Sequence, residues 1–287
     1  MHLRRSGYRM SAPDFVAVGH VTLDHFGDVV RPGGAALYAA ITAHRLGLSA
    51  AMLTSHGPDF PLDEIPPQIE VVTLEAAQTT AFEHQEAAGG RALRVRGAAR
   101  PLTVADLPED WRGAPLVLLA PVLQEVDPAL TTAFDDAAIG AELQGWLRTV
   151  SGEGAVSPGR WPSPNPVLAR LQAIFASAHD VLGHESQVTE WVQRVPVAVV
   201  TAGAAGALLY VNGERYEVRA RRTREVDATG AGDVFAAAFL IHYDRDGDPW
   251  EAAEAATCAA SLSIEGEGWS AVPDAAGLAE VRRSVHP

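Results

Sequence analysis

The chain has 287 residues, of which 47% are hydrophobic, and its formal net charge is −14 at pH 7. This acidic balance argues against nucleic acid and anionic membrane as partners, because both bind basic surfaces. All 22 basic residues are arginine, which excludes a P-loop nucleotide site and Schiff-base chemistry, since both need a lysine.

Strand-like and helix-like stretches alternate along the chain. Apolar runs predict strands at 14–20, 49–55, 69–74, 114–120, 139–144, 179–183 and 195–201. Helical spacing predicts helices at 34–47, 127–137, 167–178, 185–194, 233–246 and 249–263, followed by a short C-terminal helix. Two hairpins are predicted, one over 79–97 that turns at Gly89 and Gly90, and one over 206–220 that turns at Asn212 and Gly213.

This alternation indicates an α/β fold in which a central, mostly parallel sheet is covered by helices on both faces. The 79–97 hairpin has no helix to cover it and is expected to form a small projecting sheet. Residues 1–12 are predicted to be a flexible extension, and 13–287 a single domain. The chain has no apolar run of membrane-spanning length, and its lone Cys258 excludes an internal disulfide. We therefore expect a cytoplasmic protein.

The stretch VDATGAGDVFAAAFL, residues 226–240, places three small residues before an acid and an apolar helix. Asp233 could cap this helix while the glycines make the turn. Alternatively, the bare amides of Gly230, Ala231 and Gly232 bind an anion at the helix N-terminus, and Asp233 acts on a neighbouring group.

Together with three other segments, this stretch resembles the ribokinase (PfkB) family of sugar kinases. Their signature, Asp-Thr-x-Gly-Ala-Gly-Asp, is spelled Asp-Ala-Thr-Gly-Ala-Gly-Asp over 227–233. The resemblance implies a ribokinase-like fold with a small β-sheet lid near 24–32 and 79–97. It also implies that the loop amides stabilise the transferred γ-phosphoryl group and that Asp233 is the general base. We expect the helix N-terminus to lower the pKa of Asp233, which a loose transition state tolerates.

The segment over 19–47 resembles the family's substrate side, a strand followed by an acid and a Gly-Gly pair that opens a helix. By this resemblance Asp24 would bind substrate hydroxyls, and Gly33 and Gly34 would let a ring approach the backbone. Tyr38 stands where the family usually has asparagine, which leaves the substrate open. A strand-end turn is the alternative for Asp24. The stretch between Asp24 and Pro32 is short, so this half of the lid looks reduced.

The segment over 199–218 resembles the strand, Thr-x-Gly-x-x-Gly and hairpin that lie along the nucleotide in the family. Thr201, Gly203 and Gly206, with Thr229 of the signature, would then bind ATP. A simple β-turn is the alternative explanation for the glycines.

The family's Asn-x-x-Glu pair, which organises Mg²⁺, is replaced by His-Glu-Ser-Gln over 184–187. Glu185 and Gln187 are the candidates for metal contact there, although glutamine lacks the charge that Mg²⁺ prefers. His179 and Asp180 point to opposite faces of the predicted strand, which favours a solvated strand end over a transition-metal site.

Segments at 79–83 and 144–148 look like the branch of the family that includes inositol kinases. Gln144 and Arg148 are candidate substrate contacts at a strand end. The alternative is that Trp146 anchors a loop and Arg148 is solvated. The helix over 250–268 resembles the family's adenine-side helix, although close packing also explains its small residues.

These features predict a kinase that transfers the γ-phosphate of ATP, with Mg²⁺, to a hydroxyl of a small sugar or cyclitol. A nucleoside kinase of the same family is the nearest alternative, favoured if Tyr38 and Phe82 line a larger apolar pocket. A catalytically silent nucleotide-binding protein is a second alternative, and a dehydrogenase is poorly supported because the chain has no dinucleotide fingerprint. A homodimer through the lid hairpin is possible by the resemblance, and a monomer stays open.

Overall fold

The computed structural model describes residues 2–4, 11–87, 90–162 and 164–285, and it contains two β-sheets. The larger sheet has ten strands. Their spatial order is β1 (His2–Arg4), β6 (Glu70–Glu75), β5 (Ala50–His56), β2 (Phe15–Val18), β9 (Leu116–Leu119), β10 (Ala138–Glu142), β13 (Ala173–Ser177), β14 (Val197–Thr201), β15 (Ala207–Val211) and β16 (Glu214–Val218). The strands from β6 to β14 in this order are parallel, whereas β1 and the β15–β16 hairpin pair antiparallel at the two edges.

Both faces of the large sheet are covered, which explains why its strands are continuous apolar runs. One face packs against α1 (Ala35–Arg45), α5 (Ala231–Asp246), α6 (Pro249–Ser263) and α7 (Ala275–Val285). The other packs against α2 (Gln144–Leu147), α3 (Asn165–Leu168), α4 (Ser186–Trp191) and several tryptophans. The predicted fold class is confirmed. Within the described ranges, no helix combines the length and apolarity that crossing a membrane requires.

The smaller sheet has six strands, and we call it the lid because it contains both predicted lid segments. Its order is β11 (Arg148–Val150), β12 (Ala155–Pro158), β8 (Gly90–Gly97), β7 (Thr80–Ala87), β3 (Thr22–Phe26) and β4 (Val29–Gly33). The prediction of a reduced lid is wrong, because the short segment after Asp24 still forms a hairpin and 148–158 supplies a third one. The homodimer through this sheet stays a prediction.

Three predicted elements differ from the structure. Residues 127–137 form only a short 3₁₀ turn, Pro128–Thr132, which Asp127 caps. The helix predicted over 167–178 is instead α3 followed by the buried strand β13, because a short apolar run fits a buried strand as well as a helix. The strand predicted over 179–183 is a series of turns. The hairpin turn at Asn212 and Gly213 is confirmed, with φ of 50° and 85°.

Two predictions fall largely outside the described residues. Of the predicted extension over 1–12, the structure describes His2–Arg4 and residues 11–12, and His2–Arg4 pairs with β6. Residue 89, in the turn of the lid hairpin, is also outside the described ranges. The flexible extension therefore stays a prediction.

Candidate functional site

The head of helix α5 lies at the carboxyl-terminal edge of the large sheet. Its N-cap is Gly230, whose φ is 78°. The Tyr38 ring packs so closely against Gly230 that a Cβ at this position would overlap the ring. Asp233 lies inside the first turn of the helix, so the interpretation of Asp233 as the N-cap is wrong. The preceding loop is held by Asp227, whose Oδ1 accepts the Thr229 N–H at 3.0 Å.

A cavity of about 320 Å³ lies between this helix head and the lid, and we call it the lid cavity. Its wall combines carboxyl groups and an arginine with aromatic and aliphatic side chains. It is lined by Thr22, Asp24, Gly34, Ala35, Tyr38, Phe82, His84, Leu93, Val122, Glu142, Gln144, Arg148, Phe175, Ala176, Ser177, Asp180, Thr201, Thr229, Gly230, Gly232 and Asp233. Five of the six predicted substrate contacts are therefore brought together here; Gly33 is not among the lining residues.

Two carboxyl groups meet at the floor of the lid cavity. Glu142, at the end of β10, is buried, and its carboxyl hydrogen-bonds that of Asp233 while its Oε1 has no partner among the described residues. Burial raises the pKa of Asp233 to about 6. The charges of Asp180 and Asp24 also raise this pKa, whereas the hydrogen bond with Glu142 and the charge of Arg148 lower it. Burial and Asp233 together also raise the pKa of Glu142. The lowered pKa expected for Asp233 is thus wrong, because burial among acids outweighs the helix dipole.

Sequence reasoning missed Glu142, although an acid that ends an apolar strand such as IGAE is a visible signal. In a parallel sheet this position is at the ligand-binding edge.

Asp24 is held in the lid by two neighbours that also line the cavity. Its Oδ2 accepts the Thr22 hydroxyl at 2.8 Å, and its Oδ1 lies 2.9 Å from Nε2 of His84. The His84 ring stacks on Phe26 with 4.3 Å between centroids. The absence of a side chain at Gly33 and Gly34 lets the β3–β4 hairpin pack closely. A Cβ on Gly33, for example, would lie 2.9 Å from Oδ2 of Asp24. Asp24 lies within strand β3, so the alternative of a strand-end turn residue is wrong, and its role as a substrate contact stays a prediction.

Arg148 reaches the opposite wall of the lid cavity. Its Nη1 donates to the Val122 carbonyl and its Nη2 to Oε1 of Gln144, both at 2.7 Å. The guanidinium lies 5.0 Å from the centroid of the Phe82 ring. Trp146 does anchor the loop, through Nε1 to the Val126 carbonyl at 2.9 Å. Arg148 lines the cavity, and its contact with the substrate stays a prediction.

A second cavity, of about 500 Å³, lies on the far side of the α5 head, and we call it the outer cavity. It shares Thr201 and Gly232 with the lid cavity. The loop that contains Gly230, Ala231 and Gly232, which we call the glycine loop, therefore separates the two cavities. Predicted nucleotide contacts Gly203 and Gly206 line it, whereas Thr229 lines the lid cavity. Its remaining wall is mostly apolar, with two arginines: Ala204, Ala207, Ala220, Arg221, Arg222, Thr223, Glu225, Ala228, Ala231, Phe235, Thr257, Ala260, Ser261 and Ile264.

The two residues predicted to contact metal lie outside both cavities. Gln187 is buried and its Oε1 accepts the Trp161 N–H at 3.0 Å, while Glu185 accepts the Gly183 N–H. Asp180, a few residues earlier in the chain, does line the lid cavity, and its Oδ2 accepts the hydroxyl and N–H of Ser177. Among the described residues, no group of three or more His, Cys, Asp or Glu side chains is placed to hold a metal ion.

Comparison with known proteins shows which proteins this chain resembles. A family model described as pfkB family carbohydrate kinase matches residues 171–275, which include the α5 head and most of the outer cavity. The part of the chain over 171–275 therefore matches the pfkB family of carbohydrate kinases. A cytidine kinase from Thermococcus kodakarensis is 25% identical over 263 residues, covering 83% of this chain and 91% of that protein. A nucleoside kinase from Methanocaldococcus jannaschii is 30% identical over 95 residues, or 33% of this chain and 31% of its own.

Solved structures share the fold of this chain. A pyrophosphate-dependent myo-inositol-1 kinase, in a variant converted into a myo-inositol-3 kinase, has a TM-score of 0.78 at 20% identity, covering 94% of this chain and 99% of its own. Ribokinase from Thermotoga maritima has a TM-score of 0.72 at 18% identity, with coverage of 94% and 99%. The enzyme class of the family is a phosphotransferase that acts on hydroxyl groups of sugars or nucleosides.

Proposed function

We propose that the protein transfers the γ-phosphate of ATP to a hydroxyl group of a small, neutral polyhydroxy compound, a sugar or a cyclitol. The observation that carries this proposal is the position of the α5 head between two cavities that share Thr201 and Gly232. A phosphoryl group bound to the loop amides would face the outer cavity on one side and Asp233 on the other.

In the proposed mechanism, the acceptor binds in the lid cavity and ATP in the outer cavity. The acceptor oxygen attacks the γ-phosphorus, the bond to the β-phosphate oxygen breaks, and ADP leaves. Asp233 takes the hydroxyl proton. The amides of Gly230, Ala231 and Gly232 stabilise the charge on the phosphoryl oxygens, as preorganised donors at a helix N-terminus do. Because a base is most effective when its pKa is near the working pH, the raised pKa of Asp233 supports this role.

The composition of the lid cavity supports a neutral acceptor. Asp24, Glu142, Asp180 and Asp233 face it, against the single guanidinium of Arg148. Even with one proton shared between two of the acids, an acceptor that already carries phosphate would be repelled. A volume of about 320 Å³ is at the low end for ligand cavities, which favours a small molecule.

A nucleoside is the second candidate acceptor, because one wall of the lid cavity is aromatic. Tyr38, Phe82 and Phe175 all line it and would stack on a base. The likeness to a cytidine kinase over 83% of the chain supports the same choice. An assay must therefore distinguish a sugar or cyclitol from a nucleoside as the acceptor.

We propose ATP and not pyrophosphate as the donor, although similar structures include pyrophosphate-dependent kinases. The outer cavity has a volume of about 500 Å³, and its wall along α6 and just after it includes Thr257, Ala260 and Ile264. Pyrophosphate has no apolar part that would use this wall, whereas a nucleobase does.

Mg²⁺ would be held by Asp180 together with the phosphates of the donor. One carboxylate oxygen of Asp180 is fixed by Ser177, and this acid lines the lid cavity next to the α5 head. Mg²⁺ sites of kinases commonly use one or two carboxylates plus substrate phosphates, so this donor set fits. When bound, the ion would neutralise charge on the transferred phosphoryl group.

The assay that tests the proposal is coupled ADP release over a panel of sugars, cyclitols and nucleosides, with ATP or pyrophosphate as donor. We expect turnover with ATP and at least one sugar or cyclitol. Turnover confined to nucleosides would favour the second candidate. If no hydroxylated acceptor accelerates ADP release, the kinase proposal is wrong.

The pH dependence of kcat should follow the ionisation of Asp233. A general base works in its ionised form, and burial raises the pKa of Asp233 to about 6. We therefore expect kcat to increase as the pH rises through about 6 and to level off above it. Initial rates at saturating substrates between about pH 5 and pH 8 measure this. A rate that stays constant across this range would contradict the assignment.

Filling the outer cavity should weaken ATP binding selectively. Ala260→Leu adds a side chain to the apolar wall, where overpacking costs about 1–3 kcal/mol, so we expect the KM for ATP to rise by about 10-fold or more. The acceptor KM should stay unchanged, since Ala260 does not line the lid cavity. Ala276→Leu, the same substitution at an exposed position of α7, is the matched control. Equal KM values for ATP in both variants would argue against a nucleotide there.

A further inference from the structure

One ion pair joins the lid to the glycine loop across 196 residues of sequence. Nη1 of Arg31, on lid strand β4, donates to Oδ2 of Asp227 at 2.9 Å. The Asp227 side chain is only 11% exposed, whereas that of Arg31 is 42% exposed. The pair therefore couples a partly buried carboxylate of the loop to an arginine that enters from the edge of the lid.

Asp227 is a junction of three segments. Its Oδ1 accepts the Thr229 N–H at 3.0 Å, which shapes the turn before Gly230. Its Oδ2 accepts the Gly268 N–H at 3.4 Å, from the segment that follows α6, in addition to Arg31. The position of this carboxylate thus sets the position of the loop whose amides are proposed to bind phosphate.

The lid end of this ion pair is next to the proposed acceptor contact. Arg31 and Asp24 are directly paired across the β3–β4 hairpin, and such residues have side chains on the same face of the sheet. Tyr38 contacts both regions, because it lines the lid cavity together with Asp24 and its ring packs against Gly230 of the loop. The lid contact to the acceptor and the anchor of the loop are therefore neighbours.

We infer that Arg31 is a positioning residue that holds the phosphate-binding loop in its active geometry when the lid covers the acceptor. This inference rests on the proposed function. Amides that stabilise a transition state must be oriented before the reaction, because their reorganisation would otherwise add to the barrier. Without Arg31, Asp227 keeps its bond to the Thr229 amide but loses its tie to the lid. The loop then no longer responds to lid closure.

The test compares Arg31→Ala with the wild type in steady-state kinetics and in amide hydrogen exchange. We expect kcat to fall by about 5–150-fold, the usual range for coupling between two sites. The acceptor KM should change by less than about twofold, since the lost interaction acts in the transition state. Exchange of the amides over 227–233 should become faster. The melting temperature should barely change, because partly exposed ion pairs contribute little stability.

Two further variants make the result specific. Arg31→Lys keeps a cation that can reach one carboxylate oxygen, and we expect it to recover most of the lost kcat. Arg96→Ala removes another lid arginine, which pairs with Glu83 at 3.1 Å, and should behave like the wild type. Unchanged kcat and unchanged loop exchange in Arg31→Ala would overturn the inference. If the wild type phosphorylates no acceptor, the proposed function fails, and the exchange rates alone then decide whether Arg31 orders the loop.

Discussion

Asp233→Asn is expected to lower kcat by about 10²–10⁴, the usual contribution of a positioned base. Asparagine keeps the size of the side chain but cannot accept the proton of the acceptor hydroxyl. The KM values for both substrates should change little, because the walls of the two cavities are otherwise intact. Initial rates of ADP release, with the best acceptor from the panel, measure the effect. A variant that keeps the wild-type kcat would remove Asp233 from the mechanism.

A stability measurement separates this loss from misfolding. The pKa of Asp233 is raised in the fold from 3.8 to about 6, so between these values the folded state binds more protons than the unfolded state. The free energy of unfolding contributed by this group therefore decreases as the pH rises through that window. Asparagine has no such ionisation, so Asp233→Asn should be at least as stable as the wild type above pH 6. Asp244→Asn, exposed on the same helix, is the control and should keep full activity.

Gly230→Ala is expected to lower both the stability and the activity of the protein. The φ of Gly230 is 78°, which costs other residues about 1–2 kcal/mol. The added Cβ would also overlap the Tyr38 ring, and such overpacking costs about 1–3 kcal/mol more. We therefore expect the free energy of unfolding to drop by about 2–5 kcal/mol, together with a loss of kcat as the loop amides move. Denaturant unfolding and initial rates measure the two effects.

The matched control for this variant is Gly247→Ala, at the other end of the same helix. Gly247 has a similar φ of 69°, but no atom lies within 4 Å of the position that its Cβ would take. It should lose only the backbone part, about 1–2 kcal/mol, and retain kcat. Equal losses of stability in the two variants would show that the Tyr38 ring does not constrain the loop.

The Tyr38 ring explains a departure from the family pattern that the sequence left open. Tyr38 stands where the family usually has asparagine, and the sequence predicts that it contacts the substrate. The structure gives it a second contact, because its ring packs against Gly230 while it also lines the lid cavity. A substitution at Tyr38 is therefore expected to affect both the loop and the acceptor.

The sequence alone was sufficient where the determining interactions are local. The turn and the helix α5 were predicted, although the helix begins at Ala231 and not at Asp233, because a run of small residues before an acid and an apolar helix specifies this turn within a few residues. The hairpin at Asn212 and Gly213 was predicted for the same reason. The alternating apolar runs also predicted the mostly parallel sheet, since strands buried on both faces must be apolar throughout.

Tertiary structure decided whatever depends on which strands are neighbours. Glu142 and Asp180 come from two different strand ends, and Arg31 reaches Asp227 from the lid, so no local pattern connects them. For this reason the pKa of Asp233 is raised, whereas the sequence alone predicts that it is lowered. The helix dipole is local and favours the charged form, whereas burial among acids from distant segments penalises it, and in this site burial is the larger of the two.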